Sequence, residues 1–211
     1  MLFFKSKKPT PAENTNKSQD NIDLQIMNKM NHEFAMSLDL NETLNTALKV
    51  IIERLNAQAA NIFLINNSTK KFECIASLNQ DYLDEYQLDL KDGVMGKAAE
   101  QRKCIRVGDV RKDVREIAEF YFDLDNKTNF TTFSVLCSPL IAANNCIGVI
   151  HCLNKKTDDK LFIEDDRKLL ELLSTPAALA IRNAKMASEM IEQNKMQKEV
   201  EIVGEIQKSL L

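Results

Sequence analysis

Tryptophan is missing from this sequence, and proline and glycine are sparse, with four and five residues among 211. That scarcity excludes collagen-like and Pro/Gly-rich low-complexity chains. No stretch approaches the roughly 20 apolar residues that cross a bilayer. The opening Met1-Leu2-Phe3-Phe4-Lys5 is too short an apolar run for a signal-peptide core. A basic excess is also lacking: 28 Lys and Arg face 31 Asp and Glu, for a net charge of −3. Nucleic-acid binding, which asks for a clustered basic face, finds no support, and neither does a membrane partner. The five cysteines (Cys74, Cys104, Cys137, Cys146 and Cys152) are odd in number, contain no C-x-x-C pair and lie in or beside apolar runs. Buried reduced thiols in a cytoplasmic protein are expected, with no metal site and no catalytic constellation.

Residues 1–20 are polar and aperiodic, as in a disordered tail. Ile22, Ile26, Met30 and Phe34 then recur every four residues and predict a helix over 21–38. Asp39 and Glu42 form a capping-box pattern ahead of a second helix, whose apolar face is Leu44, Ala47, Leu48, Ile51, Ile52 and Leu55. Strands are expected over 60–65 and 72–78 around the turn Asn66–Thr69. A loop leads to Asp92-Gly93-Val94-Met95-Gly96, the entry to a short helix ending near Arg102, and 104–107 reads as a strand. The segment 108–129 is long for a plain connection and predicts a functional lid or a helix of its own. Strands over 130–141 and 146–154, joined at Asn144-Asn145, make a second hairpin. The order of elements predicts an α+β fold, a central antiparallel sheet with flanking helices and long helices at both ends.

From Glu164 to Leu211 only Pro176 and Gly204 interrupt a helical pattern. Leu173, Ala177, Ala180, Ala184, Ala187 and Ile191 step by three and four residues, and after Asn194 the seam resumes at Met196, Val200, Val203 and Leu210. Such a seam fits a parallel homodimer through the terminal helices, or packing of its first half on the chain's own sheet.

Asn154-Lys155 followed by Phe162-Ile163-Glu164-Asp165-Asp166-Arg167 resembles the Asn-Lys, spacer, Phe-x-x-x-Asp-Glu signature of GAF domains of cyclic-nucleotide phosphodiesterases and cyclases, with Arg167 in place of Glu. The run from Asp125 to Leu140 resembles the same family's Asp-x-x-Thr-Gly-Phe-x-Thr-x-x-Ile-Leu-Cys-x-Pro-Ile. Asn129 replaces the Gly and, like it, tolerates positive φ. Ile147-Gly148-Val149 matches the Ile-Gly-Val before Asn-Lys, and the likeness spans residues 39–185. Residues 186–211 would then be a linker helix to an output domain. Glu205-Ile206-Gln207-Lys208-Ser209-Leu210-Leu211 is similar to the stretch that opens RsbU-type serine phosphatase domains.

The resemblance implies a GAF/PAS-like sheet and a small-molecule ligand, cAMP or cGMP, with no other cofactor. It places Asp125, Thr128 and Thr132 at ligand-contacting positions, Val94 and Met95 where backbone meets ligand, and Asn61 and Ser77 on the pocket floor. His151 takes the position of a polar side chain beside the base. By alternation it shares an apolar face with Ile147, Val149 and Leu153, which equally suits a core histidine. Lys155 and Asp166 would form a structural salt bridge from the last strand to the final helix. The alternatives are a ligand-free dimerisation or docking module and, for an enzyme, a cysteine-dependent methionine-sulfoxide reductase. A bilin photoreceptor lacks its Cys-His pair here.

Overall fold

Asp39 starts the first helix as its side chain requires, Oδ1 accepting from the Glu42 N–H at 3.0 Å. The structure, a computed structural model, describes residues 39–80 and 87–209 together with Gln25 and Asn28, the side chains of Arg115 and residues 203–209 excepted. The tail expected over 1–20, Leu210, and the helix expected over 21–38 (apart from Gln25 and Asn28, both helical) lie outside the described residues. Helix α1 (Leu40–Leu55) buries Leu44, Ala47, Leu48, Ile51 and Leu55, and ends at Asn56 in the left-handed region.

Strands β1 (Ala57–Asn66) and β2 (Lys71–Leu78) form the first hairpin. Asn66 Oδ1 holds its turn by accepting from the N–H groups of Ser68 and Thr69. A short strand β3 (Gln87–Asp89), not expected from the sequence, pairs with β2. Helix α2 (Gly93–Gln101), strand β4 (Ile105–Val107), a 3₁₀ turn (Val110–Lys112) and helix α3 (Arg115–Thr128) follow. The 108–129 segment therefore does carry its own helix. Strands β5 (Val135–Ala142) and β6 (Asn145–Lys155) form the second hairpin.

Two boundaries of this hairpin differ from expectation. The strand expected from Phe130 begins at Val135, because the Asn154 side chain takes the backbone N–H groups of Phe133 (2.6 Å) and Ser134 (3.2 Å) that a strand partner would use. The turn is Ala143-Asn144, not Asn144-Asn145: both residues have positive φ (47° and 61°), as a two-residue hairpin loop of the primed type demands.

The six strands lie in the order β3-β2-β1-β6-β5-β4, all neighbours antiparallel. One face packs on α1 and the last helix, α4 (Glu164–Ser209), through Leu48, Ile51, Ile62, Ile150, Leu173 and Ile181. The other packs on α2 and α3 through Phe63, Met95, Tyr121, Leu124, Val149 and Leu153. Gly148 lets β1 and β6 approach: a Cβ there would sit 2.1 Å from the Phe63 carbonyl oxygen. Beside it the β5–β6 register shifts, Ile141 facing Cys146 and Leu140 facing Gly148. Ile147 is thereby the extra residue and packs with the α1/α4 cluster rather than on the His151 face.

Helix α4 runs 46 residues, roughly 70 Å at 1.5 Å per residue, and continues through Pro176. Ala177 and Ala178, the two residues after the proline, are fully buried in the α1/α4 core, so packing anchors the helix where the hydrogen bond is lost. Leu173, Ala177, Ala180 and Ala184 are buried within their own chain, so this half of the expected dimer seam is intramolecular packing. Beyond it Met190, Ile191, Met196 and Val200 are exposed.

Candidate functional site

The sheet face beneath α3 is apolar except at a few fully covered positions. Asn61 stands on β1 directly across from His151 on β6, and both are completely buried. Asn61 Nδ2 donates to Gln80 Oε1 at 2.7 Å, and the Ser77 hydroxyl donates to Asn61 Oδ1 at 2.6 Å. Gln80 Nε2 reaches Thr128 Oγ1 at 3.4 Å, and the Thr128 hydroxyl donates to the Leu124 carbonyl at 2.9 Å. This chain joins β1, the end of β2 and the last turn of α3. A cleft of about 440 Å³ opens beside it, lined by Ser77, Asn79, Gln80, Thr128, Asn129 and Phe130.

His151 lies deeper. Its Nε2 is 2.8 Å from the Tyr121 hydroxyl of α3, with the rings nearly parallel at 18° and 5.8 Å apart. Phe63 meets the imidazole edge-on. Among the described residues, His151 Nδ1 is the one buried side-chain nitrogen or oxygen without a hydrogen-bond partner. Burial lowers its pKa to about 3, so the ring is neutral at physiological pH.

The unfolded chain binds the His151 proton near pH 6.5 and the folded one does not until about pH 3. Stability is full above pH 6.5 and falls as pH drops through that window. Urea unfolding should show the wild type losing about 2 kcal/mol relative to His151→Phe between pH 7 and pH 5. Parallel pH profiles for the two proteins would contradict the buried neutral imidazole. Asp125, whose pKa burial raises, acts in the opposite sense in both proteins and cancels.

Asp125, near the end of α3, and Thr132, just beyond it, form a second group. The Asp125 carboxylate accepts from the Thr132 N–H (2.7 Å) and from its hydroxyl (2.6 Å). Both residues line a cleft of about 510 Å³ that also holds Arg111, whose guanidinium lies over Phe133 at 5.4 Å. Asn129 has φ 48°, in keeping with its place where the family has glycine, and it lines both clefts. The expected site residues thus fall into three neighbouring groups: Asn61, Ser77 and Thr128; His151; and Asp125 with Thr132. Val94 and Met95 open α2 with buried side chains, and Asp92 gives that helix no side-chain cap.

Gln80 and Tyr121 were not anticipated. Tyr121 was readable in principle, since Ile117, Tyr121, Leu124 and Thr128 make a helical stripe and all four are buried. Gln80 stands just past a strand end, where no periodicity marks a residue as buried.

Lys155 Nζ lies 2.5 Å from Asp166 Oδ1, with both side chains largely covered. Asp166 Oδ2 also accepts from the Ile163 N–H at 2.9 Å, tying down the start of α4. Arg167, where the family signature has Glu, bridges Glu164 (2.5 Å) and Glu171 (2.6 Å) along the helix surface. No disulfide forms: Cys104, Cys137 and Cys152 are buried, while Cys74 and Cys146 are only half-buried. Burial pushes the Cys104 thiol up to about 12, and raises Cys137, Cys146 and Cys152 as well. These four are poor thiolate nucleophiles. Among the described residues no His/Cys/Asp/Glu cluster could hold a metal, and no helix is long and apolar enough to cross a membrane.

The chain is 26% identical over 170 residues to a probable 3',5'-cyclic phosphodiesterase of Caenorhabditis elegans, covering 80% of this chain and 21% of that protein. It is 25% identical over 189 residues to a dual 3',5'-cyclic-AMP and -GMP phosphodiesterase of Takifugu rubripes, covering 82% and 20%. It spans about a fifth of the length of these relatives. Among solved structures, the GAF domain of an Acinetobacter phosphoenolpyruvate-protein phosphotransferase superposes with a TM-score of 0.65 at 17% identity, over 79% of this chain and 96% of that one. A free methionine-R-sulfoxide reductase of Neisseria meningitidis gives 0.62 at 17% identity, over 89% and 98%. At such identities these likenesses show the fold alone. The sequence model for the GAF domain matches residues 37–182, the span from the cap of α1 to the middle of α4 that encloses the whole sheet. This chain belongs to the GAF domain family.

Proposed function

We propose that this chain is a regulatory domain that binds a cyclic nucleotide, cAMP or cGMP, beneath α3 and passes the binding event along α4. One observation carries the reading: polar side chains are buried on a face that would otherwise be wholly apolar, and one of them, His151, keeps an unpartnered ring nitrogen. A buried polar atom without a partner costs about 1–3 kcal/mol, a cost that a bound ligand with a matching group removes. The Asp125 carboxylate, held by the N–H and hydroxyl of Thr132, makes the contacts a phosphate would make, with the Arg111 cation lining the same cleft. A nucleotide entering beside Thr128 would take over hydroxyls now satisfied within the chain, loosening α3 from the sheet. Population shift between these two packings would reach α4 through the β6–α4 connection.

Thr128→Val and Thr132→Val keep shape and delete a hydroxyl. Titration calorimetry should show each losing about 0.5–1.5 kcal/mol of binding, and more where the partner is the charged phosphate. Unchanged affinity in both would remove these threonines from the site.

The output end of the proposal is a dimer that controls a C-terminal metal-dependent serine phosphatase in bacterial signalling. The phosphatase rests on the likeness of residues 205–211 to the opening of such domains. The dimer rests on the exposed apolar side chains of α4, Leu179, Met186, Met190 and Val200, which recur at intervals suited to a helix seam. Light scattering should give about twice the 24.0 kDa chain mass, and Met190→Glu with Val200→Glu should return it to one. A monomer at high micromolar concentration would rule the seam out.

A further inference from the structure

We infer that Gln80 selects the purine edge this pocket accepts, and that it can offer either a donor or an acceptor to it. The inference rests on the reading of the pocket as a cyclic-nucleotide site.

The Ser77 hydroxyl decides the matter. Its oxygen lies 2.6 Å from Asn61 Oδ1 and 2.5 Å from the Gln80 carbonyl oxygen. One hydroxyl hydrogen serves only one of these two acceptors. If it goes to Asn61, then Asn61 Nδ2 donates to Gln80 Oε1, and the Gln80 end that faces Thr128 is the NH₂ group. If it goes to the Gln80 carbonyl, Asn61 turns its amide over and donates from nitrogen to Ser77. Gln80 then turns over as well, donating to the Asn61 oxygen and presenting its own oxygen toward Thr128. The Thr128 hydroxyl keeps the Leu124 carbonyl in both orders, so in the second no hydrogen lies between Thr128 and the Gln80 oxygen, and that oxygen is left for a donor on the ligand.

The heavy-atom positions are the same in the two orders, since amide oxygen and nitrogen exchange places. The second order also gives every close oxygen pair around Ser77 its own hydrogen. Gln80 is almost wholly buried and lines the 440 Å³ cleft, so a ligand entering there meets whichever end is turned outward. Adenine and guanine present inverted patterns at ring positions 1 and 6: acceptor and amino donor in one, N–H donor and carbonyl acceptor in the other. A side chain free to invert in step with Asn61 and Ser77 answers both. A carboxylate, which only accepts, answers one pattern and repels part of the other.

The test compares cAMP and cGMP affinities by titration calorimetry in the wild type, Gln80→Glu and Gln80→Leu, each checked by its melting curve. The wild type should bind the two nucleotides within about tenfold of each other. Gln80→Glu should change that ratio by about tenfold or more, as expected for one gained or lost charged hydrogen bond. Gln80→Leu, similar in bulk but without polar atoms, should weaken both by about tenfold and leave the ratio unchanged. Wild-type affinities in both variants would overturn the role of Gln80 while leaving the pocket standing. Failure of the wild type to bind either nucleotide would overturn both.

Discussion

Asn154→Ala should lower stability by about 3–5 kcal/mol in urea unfolding and weaken nucleotide binding with it. Four hydrogen bonds converge on this one side chain. Its Oδ1 accepts from the N–H groups of Phe133 and Ser134, and its Nδ2 donates to the Thr131 carbonyl and Gln58 Oε1. Truncation orphans two backbone N–H groups, and for a buried donor the cost is that of full desolvation. The residue also sits at φ 55°, where Asn is at ease and Ala is not. The functional consequence runs through position: the same bonds hold 131–134, and so Thr132, against the end of α3. Asn154→Asp keeps the acceptor and should recover the larger part of the loss. A change of less than 1 kcal/mol in Asn154→Ala would show that this segment is held by other contacts.

Lys155→Met is the second large effect, expected at about 3 kcal/mol. The pair with Asp166 is short and mostly covered, so removing the ammonium leaves a carboxylate in a poorly solvated place with one backbone N–H for company. Removing both charges together, as Lys155→Met with Asp166→Leu, should cost less than either single change would suggest, since breaking such a pair is worse than deleting it. The Ile163 N–H would still lose its acceptor, which keeps the double variant below the wild type. A melting point unchanged in Lys155→Met would mean the pair is solvated and does not clamp α4 to the sheet. By contrast Arg167, bridging two glutamates on an open helix surface, should contribute little to stability.

What the sequence made legible follows from where the physics is local. Capping at Asp39, the helical stripe of α1 and the alternation around Val149, His151 and Leu153 are written within a few residues of where they act. So is the Lys155–Asp166 pairing, once the family signature is seen. Strand β3 escaped because only Leu88 of its three residues is buried, too little to leave a pattern. The start of β5 was misplaced because a side chain 20 residues away competes for its backbone. The first half of the α4 seam left two packings open in the sequence for a related reason. Small residues at helical spacing suit close packing on any surface, and here Ala177 and Ala180 join the chain's own core of sheet and helix residues. The polar network beneath α3 was half visible: Asn61, Ser77 and Thr128 were named, whereas Gln80, which joins them, has no local signature. The Tyr121–His151 contact spans 30 residues and depends on how α3 lies across the sheet, information that only the fold supplies.

The proposal that a cyclic nucleotide binds beneath α3 is tested most directly by melting the wild-type chain with and without cAMP or cGMP. A ligand that binds only the folded state, supplied at 100 times its dissociation constant, stabilises it by about 2.7 kcal/mol. That is a shift of several degrees for a domain of this size. The expected result is such a shift with at least one nucleotide, reduced by Thr128→Val and Thr132→Val. An unchanged melting point with both nucleotides at millimolar concentration would contradict the account and leave a fold whose buried polar groups serve the chain alone.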